Sequence, residues 1–127
     1  MVLFKAAAAS IMMIFAVEAS ATPCRQMTTA QLKRLTSNGV TLHLGKPDTG
    51  VLGRLSIRGN GTASGYITIG GHNYGISGKW HVADNKFCRT WEGGRSAHKQ
   101  VCETWCMLSP TSVEAFQGSK DLGMNSW

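Results

Sequence analysis

From Val40 onward, apolar residues recur at every second position, and turn-forming residues interrupt the run about every 8 to 15 residues. Such a period buries one face of a strand and wets the other, which a helix of 3.6 residues per turn cannot do. Val40, Leu42 and Leu44 alternate with Thr41 and His43, ahead of the turn chemistry of Lys46-Pro47-Asp48-Thr49-Gly50. Gly53, Leu55 and Ile57 alternate with Arg54, Ser56 and Arg58 up to Gly59-Asn60-Gly61, and Gly65, Ile67 and Ile69 alternate with Tyr66 and Thr68 up to Gly70-Gly71. The longest such run sets Tyr74, Ile76, Gly78, Trp80 and Val82 against Gly75, Ser77, Lys79, His81 and Ala83, and Asp84-Asn85 turns the chain again. Residues 86–91 and 99–108 then pair around Gly93-Gly94, and Ser109-Pro110 precedes a last segment at 112–116. The fold class expected is mainly β, an antiparallel meander forming a small barrel or sandwich. The tail beyond Gly118 carries little pattern, so Trp127 is expected either as a docked plug or as a frayed end.

One short N-terminal helix precedes the meander. Thr28 or Thr29 can cap it, Leu32 and Leu35 share its apolar face, and Asn38-Gly39 end it in the left-handed conformation used just past a helix. Two to three turns are marginal alone in water, so the leucine face must dock on the sheet.

Residues 1–21 read as a secretory signal: Lys5, an apolar run over 6–17 and an Ala19-Ser20-Ala21 cleavage site. The apolar run is shorter than the roughly 20 residues a spanning helix needs, so no membrane span is expected. The expected organisation is a signal peptide, 1–21, and a single domain, 22–127, in the periplasm or secreted. Losing Lys5 and Glu18 together leaves the formal charge of +6 unchanged.

Export makes an oxidising fate the expectation for Cys24, Cys88, Cys102 and Cys106. Four cysteines permit three connectivities. Cys102 and Cys106 on one strand would lie about 13 Å apart, whereas a bridge needs Cα atoms within about 7 Å. Two arrangements remain, Cys88–Cys102 with Cys24–Cys106 or Cys88–Cys106 with Cys24–Cys102, and the first is preferred because it closes a local hairpin around Gly93-Gly94-Arg95. The cysteines show no C-x-x-C spacing and the four histidines no ligand spacing, so neither a metal nor another cofactor is expected.

The residues offer no nucleophile motif, no phosphate loop and no pair of carboxylates that spacing brings together. Glu103 is expected to face outward from its strand; a hydrolase would have to combine it with His81 or His98. The basic residues are more suggestive. Arg54 and Arg58 project from one strand face and Lys79 and His81 from the comparable face of a later strand, a strip suited to an anionic envelope component or a protein. Nucleic acid is not an expected partner, since these cations lack interleaved exposed aromatics. Trp80, Phe87, Trp91, Trp105 and Phe116 are expected in the core, or as the lining of an open barrel mouth or a cleft between sheets.

Gly78-Lys79-Trp80-His81-Val82, then Phe87-Cys88-Arg89-Thr90-Trp91 and Val101-Cys102, resemble the G-x-W-x-V…C-x-x-W…C pattern of a family of small secreted bacterial proteins bearing an uncharacterised domain. The resemblance spans roughly residues 28–116 and implies an exported β-rich fold without a known activity; Cys24 and Cys106 depart from its two-cysteine pattern. In architecture the chain is also similar to periplasmic lysozyme inhibitors. The expected function is therefore an exported non-catalytic binding or accessory protein. The alternative is an inhibitor of a cell-wall hydrolase presenting the loop 92–98.

Overall fold

In the computed structural model, which describes residues 24–45, 50–94 and 96–127, the chain forms a closed eight-stranded antiparallel barrel with one short helix. The expected signal peptide, 1–21, lies outside the described residues. Helix α1 (Thr29–Thr36) comes first, followed by β1 (Val40–Leu44), β2 (Val51–Ile57), β3 (Thr62–Ile69), β4 (His72–Ala83), β5 (Lys86–Trp91), β6 (Gln100–Ser109), β7 (Ser112–Gln117) and β8 (Lys120–Ser126). Each strand pairs with the next, and β1 pairs with β8 through His43 opposite Ser126 and Leu44 opposite Asn125. Closure, which removes both sheet edges, decides between the barrel and the sandwich.

The registers put the alternating apolar sets inside. Leu42 faces Leu55, Ile57 faces Ala63, Gly65 faces Ile76, and Val82 faces Phe87. Gly78 lies opposite Trp91, and a Cβ added there would sit 2.1 Å from the Thr90 carbonyl oxygen and 2.8 Å from the Trp91 ring. Only glycine allows β4 to approach β5 that closely while the indole lies across it.

Helix α1 closes one end. Thr28 caps it in a capping box with Gln31, the Thr28 hydroxyl accepting from the Gln31 N–H and the Gln31 side chain accepting from the Thr28 N–H. The two ends of the helix are held by two turns of the barrel. Asn85, in the left-handed β4–β5 turn, accepts from the Thr29 N–H and donates its own N–H to the Thr29 hydroxyl, both at 2.8 Å. Just past the other end, the Ser37 carbonyl lies so near Gly59 in the β2–β3 turn that a Cβ there would be 2.4 Å from it. Eight helical residues are about 12 Å long, the scale of a small barrel's mouth. Leu32 is thereby driven inside with Met27 and packs in a cluster with Phe87, Trp105, Leu42, Ile57 and Val113. Thr36, the other buried helix residue, donates its hydroxyl to the Leu32 carbonyl.

The segment before the helix extends the wall. Beyond Glu103, β6 has no partner in β5, and residues 25–27 take that edge: the Met27 N–H donates to the Trp105 carbonyl and the Met107 N–H to the Arg25 carbonyl, each at 2.8 Å. The bridges are Cys24–Cys106, which fastens this segment, and Cys88–Cys102, which joins directly opposed residues of β5 and β6. They are the preferred connectivity, and both stand where antiparallel neighbours bring the sulfurs together.

Strand β8 is where the sequence pattern gives no guidance. A bulge passes from Ala115 opposite Gly123 to Phe116 opposite Asp121, leaving Leu122 as an extra residue that packs on the core. Gly123 there has φ +106°, and its N–H donates to the Asp121 carboxylate. An extra residue shifts the alternation by one, so β8 reads as patternless although it closes the barrel. Trp127 is the docked plug: its N–H donates to the Thr111 carbonyl, and its ring stacks 6.3 Å from that of Trp105.

Candidate functional site

An eight-stranded barrel has an interior that side chains can just fill or that can hold one small ligand. Here both occur. The end under α1 is packed solid by Trp80, Phe87 and Trp105, whose rings form a continuous stack, with Trp80 to Phe87 at 5.8 Å and Phe87 to Trp105 at 4.9 Å. The other half encloses a cavity of about 500 Å³, within the range of small-molecule sites. Leu44, Leu55, Ile67, Ile76, Trp91 and Leu122 supply its apolar wall. Val51 borders it at the start of β2, and Ile69 at the end of β3 and Tyr74 near the start of β4, 50% and 56% exposed, continue the same inner face by register.

The wall is not wholly apolar: Glu114, Asp121 and Asn125 border the cavity from β7 and β8, and Arg89 and Glu103 form an ion pair on β5 and β6. Phe87, Arg89 and Trp91 point inward from β5 and Val101, Glu103 and Trp105 from β6, so Arg89 and Glu103 meet on the diagonal of the two strands. The Arg89 Nε–H donates to Glu103 Oε2, the Trp105 Nε1–H donates to Glu103 Oε1 at 3.0 Å, and the Arg89 guanidinium lies 5.2 Å from the Trp91 ring centroid. Glu103 is only 6% exposed. The expectation that Glu103 faces outward is corrected: its alternation with Val101 and Trp105 puts it inside, and its charge is tolerated there because each carboxylate oxygen has a donor.

This constellation also dissolves a Glu103–His81 pair, because His81 lies opposite Cys88 on the outer surface. His98 belongs to the loop between β5 and β6, where its N–H donates to the Trp91 carbonyl at 2.8 Å. That loop is tied to the wall at its start by the Ser77 hydroxyl, which donates to the Glu92 carboxylate.

The basic strip is outside. Arg54 lies opposite Tyr66, Lys79 opposite Thr62, and Arg58 donates from Nε to the Thr62 hydroxyl and from both terminal nitrogens to the Ser64 hydroxyl. Arg54, Arg58, Lys79 and His81 therefore share the solvent face of β2 to β4 and their turns, with Arg58 spent on its own sheet. Of the five aromatic candidates, Trp80, Phe87 and Trp105 are core and Trp91 lines the cavity. Phe116, opposite Thr104, is turned to the outer side and half-buried.

Sequence reasoning missed Arg89 and the inward Glu103. A signal was there: Phe87-x-Arg89-x-Trp91 and Val101-x-Glu103-x-Trp105 each place one charge at the centre of an inward apolar triplet, and the two charges are opposite. No protein-family model matches the chain, and no characterised protein or solved structure shows significant similarity to it.

Proposed function

We propose that the protein is an exported, non-catalytic binding protein that holds one small, largely apolar molecule in the open half of its barrel. The observation that carries this reading is the cavity itself: about 500 Å³, mostly apolar walls and a few polar groups, an ion pair among them. Pockets that bind small molecules combine mostly apolar lining with a few placed polar groups. Two disulfides support an oxidising compartment, and among the described residues no helix is long and apolar enough to cross a membrane.

The test uses the neutral dye N-phenylnaphthylamine, which fluoresces in apolar surroundings. Saturable one-to-one binding is expected, reduced at least tenfold in Ile76→Trp, where the added ring occupies the cavity. Absence of saturable binding, or equal binding by that variant when folded, overturns the reading.

A second reading concerns the outer face, where Arg54, Lys79 and His81 are all solvent-exposed. On this reading the face meets an anionic envelope component, and its attraction is screened over about 8–10 Å at ordinary salt. Retention on an acidic polysaccharide column should fall steeply between about 50 and 200 mM salt and be weakened by Arg54→Gln with Lys79→Gln. Salt-independent retention sinks it.

A further inference from the structure

The ion pair in the cavity wall is chemically lopsided. Both oxygens of Glu103 are engaged, one by Trp105 and one by Arg89. Arg89 is engaged through Nε alone, with one face of its guanidinium towards Trp91. A guanidinium carries five N–H donors in a plane, and the four on its terminal nitrogens find no acceptor among the described residues. They border the cavity, whose lining is mostly apolar on the side of β2 to β5 and carries Glu114, Asp121 and Asn125 on the side of β7 and β8. The interior thus offers an oriented, donor-only edge, held rigid on one side by a carboxylate and on another by an indole.

We propose that the molecule bound in the barrel is an amphipath with a carboxylate head, taken head-first, its two oxygens meeting the terminal nitrogens of Arg89 and its apolar part running along Ile67 and Ile76 towards Val51. The proposal rests on the cavity reading above and deepens it by assigning the ligand class. A planar two-oxygen head matches the planar fork of arginine through two parallel N–H···O bonds, a match that lysine cannot reproduce. Glu103 positions the fork and does not touch the ligand, because its own oxygens are already occupied. At the Arg89 fork an ammonium head would meet a cation whose donors point at it; Glu114 and Asp121 border the cavity from β7 and β8, so an amine of the same length is the discriminating competitor. A hydroxyl head accepts from only one side of the fork and falls between the two.

Displacement of bound N-phenylnaphthylamine by octanoate, octanol and octylamine, three molecules of one chain length, separates these cases without any variant. Octanoate is expected to displace the dye at a concentration at least tenfold below octylamine, with octanol intermediate. In Arg89→Lys the advantage of octanoate over octanol is expected to vanish while dye binding persists, and thermal unfolding of that variant confirms that it is folded. Displacement by octylamine as effective as by octanoate overturns the carboxylate assignment and leaves the cavity reading standing. Failure of the dye to bind the parent protein overturns the cavity reading and this proposal with it.

Discussion

At the scale of single residues, the ion pair between Arg89 and Glu103 sets two charges into the wall of the interior. Taking two charges out of water is expensive, and removing one partner leaves the other buried and uncompensated, which costs about 3–5 kcal/mol. Arg89→Met is expected to lower stability by that amount. The double variant Arg89→Met with Glu103→Gln removes both charges while the amide oxygen still accepts from Trp105 Nε1, so it is expected to recover most of the loss. Urea unfolding of the parent, the single and the double variant measures this coupling. Equal losses in the single and the double variant would show that the pair is not coupled through its charges.

At the scale of elements, strand β4 and helix α1 divide the interior into a filled and an open half. The division comes from where small and large side chains fall on the inner face of the wall: Trp80 and Val82 fill the end beneath the helix, whereas Gly78 leaves room for the ring of Trp91 to lie against the strand. Gly78→Ala would press a methyl against the Thr90 carbonyl and the Trp91 ring, and overpacking of this kind costs about 1–3 kcal/mol. Loss of stability in that range is expected together with a shift in tryptophan fluorescence as Trp91 is displaced into the cavity, and with weaker dye binding. An unchanged unfolding midpoint would show that β4 can move away from β5 at no cost. The helix is legible in the sequence from Thr28 to Gly39, because caps and breakers are local chemistry. Its placement across the barrel end is not, because that depends on Asn85 and Gly59, which belong to turns far along the chain.

At the scale of the whole molecule, the bridge between Cys24 and Cys106 spans 82 residues and fastens the segment that fills the exposed edge of β6. Removing a native disulfide from a small exported domain typically costs about 2–5 kcal/mol. Replacing both cysteines by alanine is expected to lower stability within that range and to raise hydrogen exchange first at Met27 and Leu32, with the β3–β4 hairpin protected as before. Exchange that rises uniformly over the barrel would show that the N-terminal segment is not a separate layer of the fold. The same tether explains why the solid half of the barrel lies under the helix: Met27, Leu32 and Trp105 are all nearly excluded from solvent there, and release of the segment would expose them together.

Period-two alternation, turn residues, helix caps and cysteine spacing are properties of neighbours along the chain, and they were sufficient for the strands β1 to β7, for the short helix and for narrowing the sulfur pairings to two, of which the preferred one is present. They also placed Arg54, Lys79 and His81 on one face, since alternation fixes relative orientation within and between paired strands. What they could not supply was closure. Strand β8 carries a bulge that breaks its period, and only its pairing with both β7 and β1 identifies it. Whether a given face is inside or outside depends on that closure, and so Glu103, read as an outward charge, and Arg89, not singled out at all, become an inward-facing pair only when β5 and β6 are rolled into the wall of a barrel. A charge's environment is set by everything that surrounds it, and those surroundings come from strands far apart in the chain.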